Sequence, residues 1–321
     1  MDKHVNFFLV LVITLFITWF LRDFGGMLNS HEMFATVTIM LMYVGMGLTT
    51  DSRQLLVGLR NWKLVLFSQF SLFGLSPLLA YALFHVVLRY SPLEYAVGLL
   101  FLGCLPTTIT SCIMLTKEYG GNAVGALYNS IVSQFLGLFL TPLLLSALLA
   151  TQFVSVIPFS QVLKNLCYKM IIPFAIGQIL RQRHVSLGRI PGIVTYYGIF
   201  FILYMKLAAT FCKGNLLEYF HLLAIPLIGV AAFCTLLLLL VSALAAGCRF
   251  SREDRVCSIF TGTQKTMGMG IPLATIYFPK NVEIVSSVSL LIIFYYILVM
   301  VGAAFVVVRI LPKQEKNVNK A

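Results

Sequence analysis

The sequence predicts an all-α membrane protein: ten transmembrane helices in two inverted five-helix repeats, forming one domain over residues 1–321. Three observations predict it. The 321-residue chain is 60% hydrophobic and 11% charged, against about 25% charged residues in soluble domains. Apolar runs long enough to cross hydrocarbon recur along it, joined by short connections. Two of those runs, at matching places in the two halves, are interrupted alike by Pro, Gly and Thr.

A helix needs roughly 20 apolar residues to cross the hydrocarbon. The first candidate, 5–21, lies in "MDKHVNFFLVLVITLFITWFLRDF". That stretch has no small-x-small cleavage site and one lysine before its apolar run, so it reads as a retained helix and not a signal peptide. The second spans 33–49. The third, 63–88, carries Gln69 in "FSQF". The fourth, 95–116, is interrupted at "CLPTT", and the fifth, 122–149, carries Ser130 and Gln134 one turn apart. The second half repeats the count: 165–181, 190–212 with Lys206, 221–247, 254–278 with its interruption at "TGTQKTMGMG", and 281–309. The repeats cover about 1–150 and 160–312. Five helices is an odd number, so the second repeat runs upside down relative to the first.

Basic residues set the orientation. Fifteen, from Lys3 to Lys320, fall on the side shared by the termini. Six (Arg22, Arg89, Lys164, Lys169, Lys213 and Lys280) fall on the other, which puts both ends in the cytoplasm. The net charge of +12 is scattered over loops and a basic tail, and does not outline a nucleic-acid surface. The seven cysteines show no C-x-x-C spacing and read as packing residues. All 11 acidic residues lie in loops or at segment ends. Two basic residues remain, Lys206 and Lys265, and both fall within predicted helices. Lys206, toward one end of an unbroken helix, is expected to snorkel to the interface.

The fourth and ninth segments share a pattern more than an identity. "FLGCLPTTITSCIMLTKEYGGN" and "IFTGTQKTMGMGIPLATIYFPKN" each begin apolar, meet a Pro/Gly/Thr cluster near mid-membrane, and resume. A helix broken in lipid leaves amides unpaired at several kcal/mol each, so breaks persist where protein, water, ion or solute supplies partners. The freed half-helix N-termini attract anions. Lys265 sits in the second break with no carboxylate at membrane depth to pair with. Its ammonium has three uses: to bind an anionic substrate, to replace a coupling ion, or to exchange a proton.

Two motifs carry a resemblance. "LPTTITSCIMLTKEYGGNAVGALYNSIVSQFLGLFLTPLLL" (Leu105–Leu145) and "REDRVCSIFTGTQKTMGMGIP" (Arg252–Pro272), with "YVGMGLTTDSRQL" (Tyr43–Leu55), resemble the bile acid:sodium symporter family, and within it the sodium/bile acid cotransporter 7 branch. The resemblance implies a core domain of helices 3–5 and 8–10 and a panel domain of helices 1, 2, 6 and 7. Helices 4 and 9 are discontinuous and cross at their unwound centres, with substrate between core and panel. It also maps the family's sodium ligands onto Gln69, Ser111, Cys112, Ser130, Gln134, Phe260, Gln264 and Lys265. Gln69, Ser111, Ser130 and Gln264 keep the family's ligand type. Cys112 and Lys265 stand where the family has Asn, and Phe260 stands where it has the sodium-bridging Glu. Sodium is a hard cation that takes oxygen ligands, so two sodium sites of the usual kind are not expected, and Lys265 would fill the space of an ion.

The functional expectation is a secondary transporter of a small organic anion, with Thr107, Thr108 and Thr266 lining the site beside the ligand positions. No cofactor is called for, and Na+ remains a possible coupling ion beside protons or none. The alternative is a regulator of calcium homeostasis that moves no cation itself. An enzyme is not expected, because the five histidines all lie near segment ends. Oligomeric state is not legible in the sequence.

Overall fold

A computed structural model describes residues 3–50, 61–149, 159–183, 187–212, 216–279 and 281–310. Among them the structure is entirely helical. In chain order the helices are α1 (Lys3–Phe20), α2 (Arg22–Ser30), α3 (Glu32–Thr49), α4 (Trp62–Tyr90), α5 (Leu93–Gly103), α6 (Thr110–Glu118), α7 (Ala123–Leu149) and α8 (159–182). Then come α9 (Ile190–Phe211), α10 (Leu216–Gly247), α11 (Arg252–Thr263), α12 (Met267–Tyr277) and α13 (Val282–Ile310). Each of the ten predicted segments coincides with helix. Of the charges used for orientation, Arg53, Arg60, Lys213, Lys280, Lys313, Lys316 and Lys320 lie outside the described residues.

Six helices are long and apolar enough to cross a membrane unaided: α3, α4, α7, α9, residues 224–247 of α10, and α13. The pair α1–α2, bent by 90°, makes a seventh if it counts as one span. The helix α2 was not expected, because "RDFGGMLNS" carries two glycines and two charges. Tertiary contact overrides the weak local propensity. Tyr204 Oη donates to Leu21 O at 2.8 Å, and Gly25 lies against Ala208 and Tyr204, so closely that a methyl group there would meet the Tyr204 ring at 2.8 Å.

The interruptions fall where the sequence places them. In the first, residues 104–109 separate α5 from α6. Pro106 has no N–H, and its ring disfavours the helical conformation for Leu105. In the second, Gln264, Lys265 and Thr266 separate α11 from α12, with Gln264 at φ −68°, ψ 147° and Thr266 at φ −87°, ψ 128°. Those are extended conformations open to any residue. The neighbouring glycines therefore serve close approach and not backbone freedom: a Cβ at Gly270 would stand 2.8 Å from Ile292 and Leu105.

Two helices carry a π turn two residues ahead of a proline. In α4 it spans Ser71–Leu75 before Pro77, and in α8 Cys167–Ile171 before Pro173. The Ser76 N–H reaches back five residues to Ser71 O. Continued by one residue, that register would pair position 77 with Leu72 O, but Pro77 has no N–H to give. Leu72 O is left without its backbone donor.

Packing falls into two sets. α3 packs on α8 and α9, and α9 on α1 and α2. α5 packs on α4 and α13, α10 on α11 and α13, and α7 on α4, α6 and α11. The sets meet chiefly where α9 touches α12 and α13. Within the first set the helices approach through glycine, and Gly47 and Gly177 sit back to back. The C-terminal carbonyls of α3 are capped from α8: Gln178 Nε2 donates to Gly47 O and Thr50 O at 2.7 Å each, and Arg181 donates to Leu48 O at 3.0 Å.

A Cβ at Gly177 would collide with the Val44 carbonyl and stand 2.9 Å from Gly47 Cα, both backbone atoms that cannot swing aside. Gly177→Ala is expected to cost about 1–3 kcal/mol, read as a lower unfolding midpoint of the detergent-purified protein. Gly192→Ala, with open space around it, should leave the midpoint unchanged.

Candidate functional site

The backbone groups freed by the first break find partners one by one. Gly103 O accepts from Ser76 Oγ at 2.7 Å, and Cys104 O from Thr141 Oγ1 at 2.8 Å. Pro106 O accepts the Thr266 N–H at 2.9 Å. Thr107 O accepts from Gln134 Nε2 at 2.6 Å, while the Thr107 N–H donates to Ser133 Oγ at 3.0 Å. Leu105 O is the target of Lys265. The two breaks are thus in direct backbone contact, and α7 supplies the side chains that hold the first one open.

Lys265 is 1% exposed. Its Nζ donates to Leu105 O at 2.8 Å, Gly103 O at 3.0 Å and Leu72 O at 3.4 Å. An ammonium has three N–H donors, and here each has a carbonyl. One carbonyl comes from the end of α5, one from the break, and one is the oxygen that Pro77 leaves free in α4. Partial negative charge at a helix C-terminus suits a cation, so the ammonium is held without any carboxylate.

Gln264 gathers the other side of the crossing. Its Oε1 accepts from Ser111 Oγ at 2.7 Å and Thr108 Oγ1 at 2.9 Å, and those two hydroxyls also bond each other. The Cys112 thiol lies 2.9 Å from Thr107 Oγ1 and donates to Phe260 O at 3.4 Å. Phe260 is fully buried and packs on Tyr119, ring centroids 5.7 Å apart. Tyr295 Oη donates to Thr263 O at the end of α11. At their far ends the broken helices are tied again: Asn122 Nδ2 donates to Asp254 Oδ1 at 2.8 Å, and Arg252 donates to the Tyr119 and Gly120 carbonyls.

The remaining predicted residues lie alongside. Gln69 Nε2 donates to Asn129 O at 3.2 Å. Both Gln69 and Gln134 use their amide N–H on a backbone carbonyl, which fixes the orientation of each amide. Their Oε1 atoms, with Asn129 Oδ1 and Ser130 Oγ, are buried and have no hydrogen-bond partner among the described residues. Thr107, Thr108, Ser111, Cys112, Gln134, Gln264, Lys265 and Thr266 are brought together around the two breaks. Gln69 and Ser130 flank them through α4 and α7.

Sequence reasoning missed Ser76, Asn129, Ser133 and Thr141, all of which serve this layer. The signal was present on α7: Ser130, Gln134, Gly137 and Thr141 recur at steps of four, three and four, one face of a helix. Gly137 lets that face close on Pro106, whose ring a methyl group there would meet at 2.7 Å. Lys206, expected to snorkel, is only 4% exposed.

Comparison with known proteins agrees with this architecture. Residues 5–310 match the model of the SBF-like CPA transporter family. The chain is 29% identical over 279 residues to the sodium/bile acid cotransporter 7 of Rattus norvegicus, covering 85% of this chain and 81% of the relative. The Danio rerio protein of the same name is 29% identical over 281 residues, with 85% and 82% covered. An uncharacterised Pseudomonas aeruginosa protein is 29% identical over 306 residues, with 93% and 90% covered. A family match over nearly the whole chain, on a fold of long apolar helices with two paired interruptions, makes this a multi-pass membrane transporter and not an enzyme: it belongs to the SBF-like CPA transporter family.

Proposed function

We propose that the chain moves a small organic anion across the bilayer by alternating access, and that the Lys265 ammonium stands where relatives hold a coupling ion. The observation that carries the reading is the full pairing of Lys265 with three carbonyls at the meeting of the two breaks.

In this reading α1–α2, α3, α4, α5–α6 and α7 form one five-span repeat, and α8, α9, α10, α11–α12 and α13 form its inverted copy. The broken pairs cross at Pro106 and Thr266, and both termini face the cytoplasm. The set containing α4–α7 and α10–α13 is the core, and α1–α3, α8 and α9 form the panel. The thin contact of α9 with α12 and α13 is the seam that opens to either side. The N-termini of α6 and α12 supply unpaired amides near Thr108 and Thr266, and a carboxylate or sulfonate is the group they suit. The relatives' name speaks of bile acids, which are organic anions of that kind.

The same name speaks of sodium. Oxygens for it are few here. Phe260 offers none, Cys112 offers a thiol, and the nearest full charge is the positive Lys265. A sodium ion beside a buried ammonium would meet repulsion that no carboxylate offsets. Transport uncoupled from sodium is the expected behaviour.

Two measurements test this. Lys265→Met leaves Leu105 O and Leu72 O without donors, so unfolding stability should fall by about 2–6 kcal/mol, taking about 1–3 kcal/mol for each unpaired buried group. A neutral effect would mean the ammonium holds nothing together. In the second, wild-type protein should unfold at the same temperature in sodium and potassium buffers, while the double variant Phe260→Glu, Lys265→Asn should gain selective stabilisation by sodium. Clear stabilisation of the wild type by sodium over potassium rules the substitution of ion by lysine out.

A further inference from the structure

The second intramembrane lysine has no role in the crossing. Lys206 lies on α9 and is 4% exposed. The hydrogen bonds at this residue reach its backbone carbonyl, from Thr210 Oγ1 at 3.1 Å and Ser286 Oγ at 3.0 Å. Among the described residues its ammonium forms no hydrogen bond and no ion pair. Two charged groups act on it at a distance: Glu32 attracts and Lys169 repels. Neither closes an ion pair with it. A buried ammonium without an acceptor is costly, and in a membrane protein such a group marks a functional site by default.

Its position on α9 gives the site a direction. Residues 196, 199, 203, 206 and 210 recur at steps of three, four, three and four, one stripe of the helix. That stripe meets the broken helices and α13. Ile199 Cδ1 stands 3.6 Å from where a Cβ would sit on Gly268, in the first turn of α12, and Thr210 Oγ1 lies 2.6 Å from Ser286 Oγ on α13. At the other end of the stripe Tyr196 Oη is also buried and without a partner among the described residues. Its ring is fixed edge-on against Tyr197 and Phe200, centroids 5.1 Å and 5.3 Å away. The stripe is therefore apolar in the middle, at Ile199 and Leu203, with an unpaired donor toward each end. Ten residues at 1.5 Å rise set those donors about 15 Å apart.

We propose that Lys206 is the residue that takes the anionic group of the transported solute, from the α9 side of the seam, with Tyr196 donating a hydrogen bond at the other end of the same stripe. The proposal rests on the reading of the chain as an organic-anion transporter. Lys265 cannot serve in this way without leaving its carbonyls, because each of its donors is engaged. Lys206 needs an acceptor, lies on the helix that forms the seam, and faces an apolar wall that would receive the body of an organic solute.

The test uses full-length protein in lipid nanodiscs, with cholate and benzoate as probes and their methyl esters as uncharged controls. Wild type should bind the carboxylates saturably and in preference to the esters. Lys206→Gln should weaken carboxylate binding about ten-fold or more and leave ester binding unchanged. Lys206→Arg should restore the preference. A lysine with a purely structural role would lower the unfolding midpoint without changing the ratio of carboxylate to ester affinity. A Lys206→Gln protein that keeps the wild-type ratio overturns the assignment to Lys206 alone. Folded wild-type protein that binds neither carboxylate overturns the anion-transport reading, and this proposal with it.

Discussion

A helix interrupted within a bilayer must find a partner for every peptide group it releases, because no water is there to supply one. Most of this structure can be read as the answer to that demand. The carbonyls from Gly103 to Thr107 each end on a specific donor, drawn from α4, from α7 and from the second break. Neither break could stand alone. The Thr266 N–H serves the first, and the Lys265 side chain reaches through it to α4. The two interruptions stabilise each other, which is why they occur as a pair.

The ammonium is the part of that arrangement with chemical consequences. A bound ion leaves and returns, and its affinity depends on concentration. A lysine is present at unit occupancy and cannot be exchanged. Held by oxygens from three elements, it joins α4, α5 and the first break as a metal ion would, and fixes them permanently. The hydroxyl cluster on Gln264 joins α6 to the second break in the same layer. Asn122, Asp254 and Arg252 join the far ends. With ties at both ends and in the middle, the broken helices have little freedom to hinge at their breaks, and any motion falls to the seam beside α9.

Much of this was legible in the sequence, for identifiable reasons. Span positions follow from apolar run length, a strong signal in membrane proteins. The breaks were marked by Pro106 and by a lysine and polar residues in an apolar run. Lys265 stood out because no carboxylate could pair with it. What stayed hidden depends on contacts distant in sequence. The helix α2 forms because Tyr204 and Ala208 receive it, against its own glycines. The tight packing of Gly47 on Gly177 joins residues 130 positions apart, and neither glycine differs in sequence from one in a loop. Lys206 looked like an interfacial lysine because distance from a helix end is readable, whereas the elements that close over a side chain are not. The π turns left no periodic trace at all.

The turn at Ser71–Leu75 has a bearing on how such a site can arise. A π turn holds one residue more than the α-helix around it. Removing any single residue there would rotate the following helix by about 100°, and Pro77 would then orphan a different carbonyl, on another side of α4. The lysine would lose its third oxygen although no residue touching it had changed. Chain length within α4, and not residue identity alone, thus sets how many ligands the built-in cation receives, and a lineage could gain or lose that ligand by an insertion or deletion that no list of site residues would register.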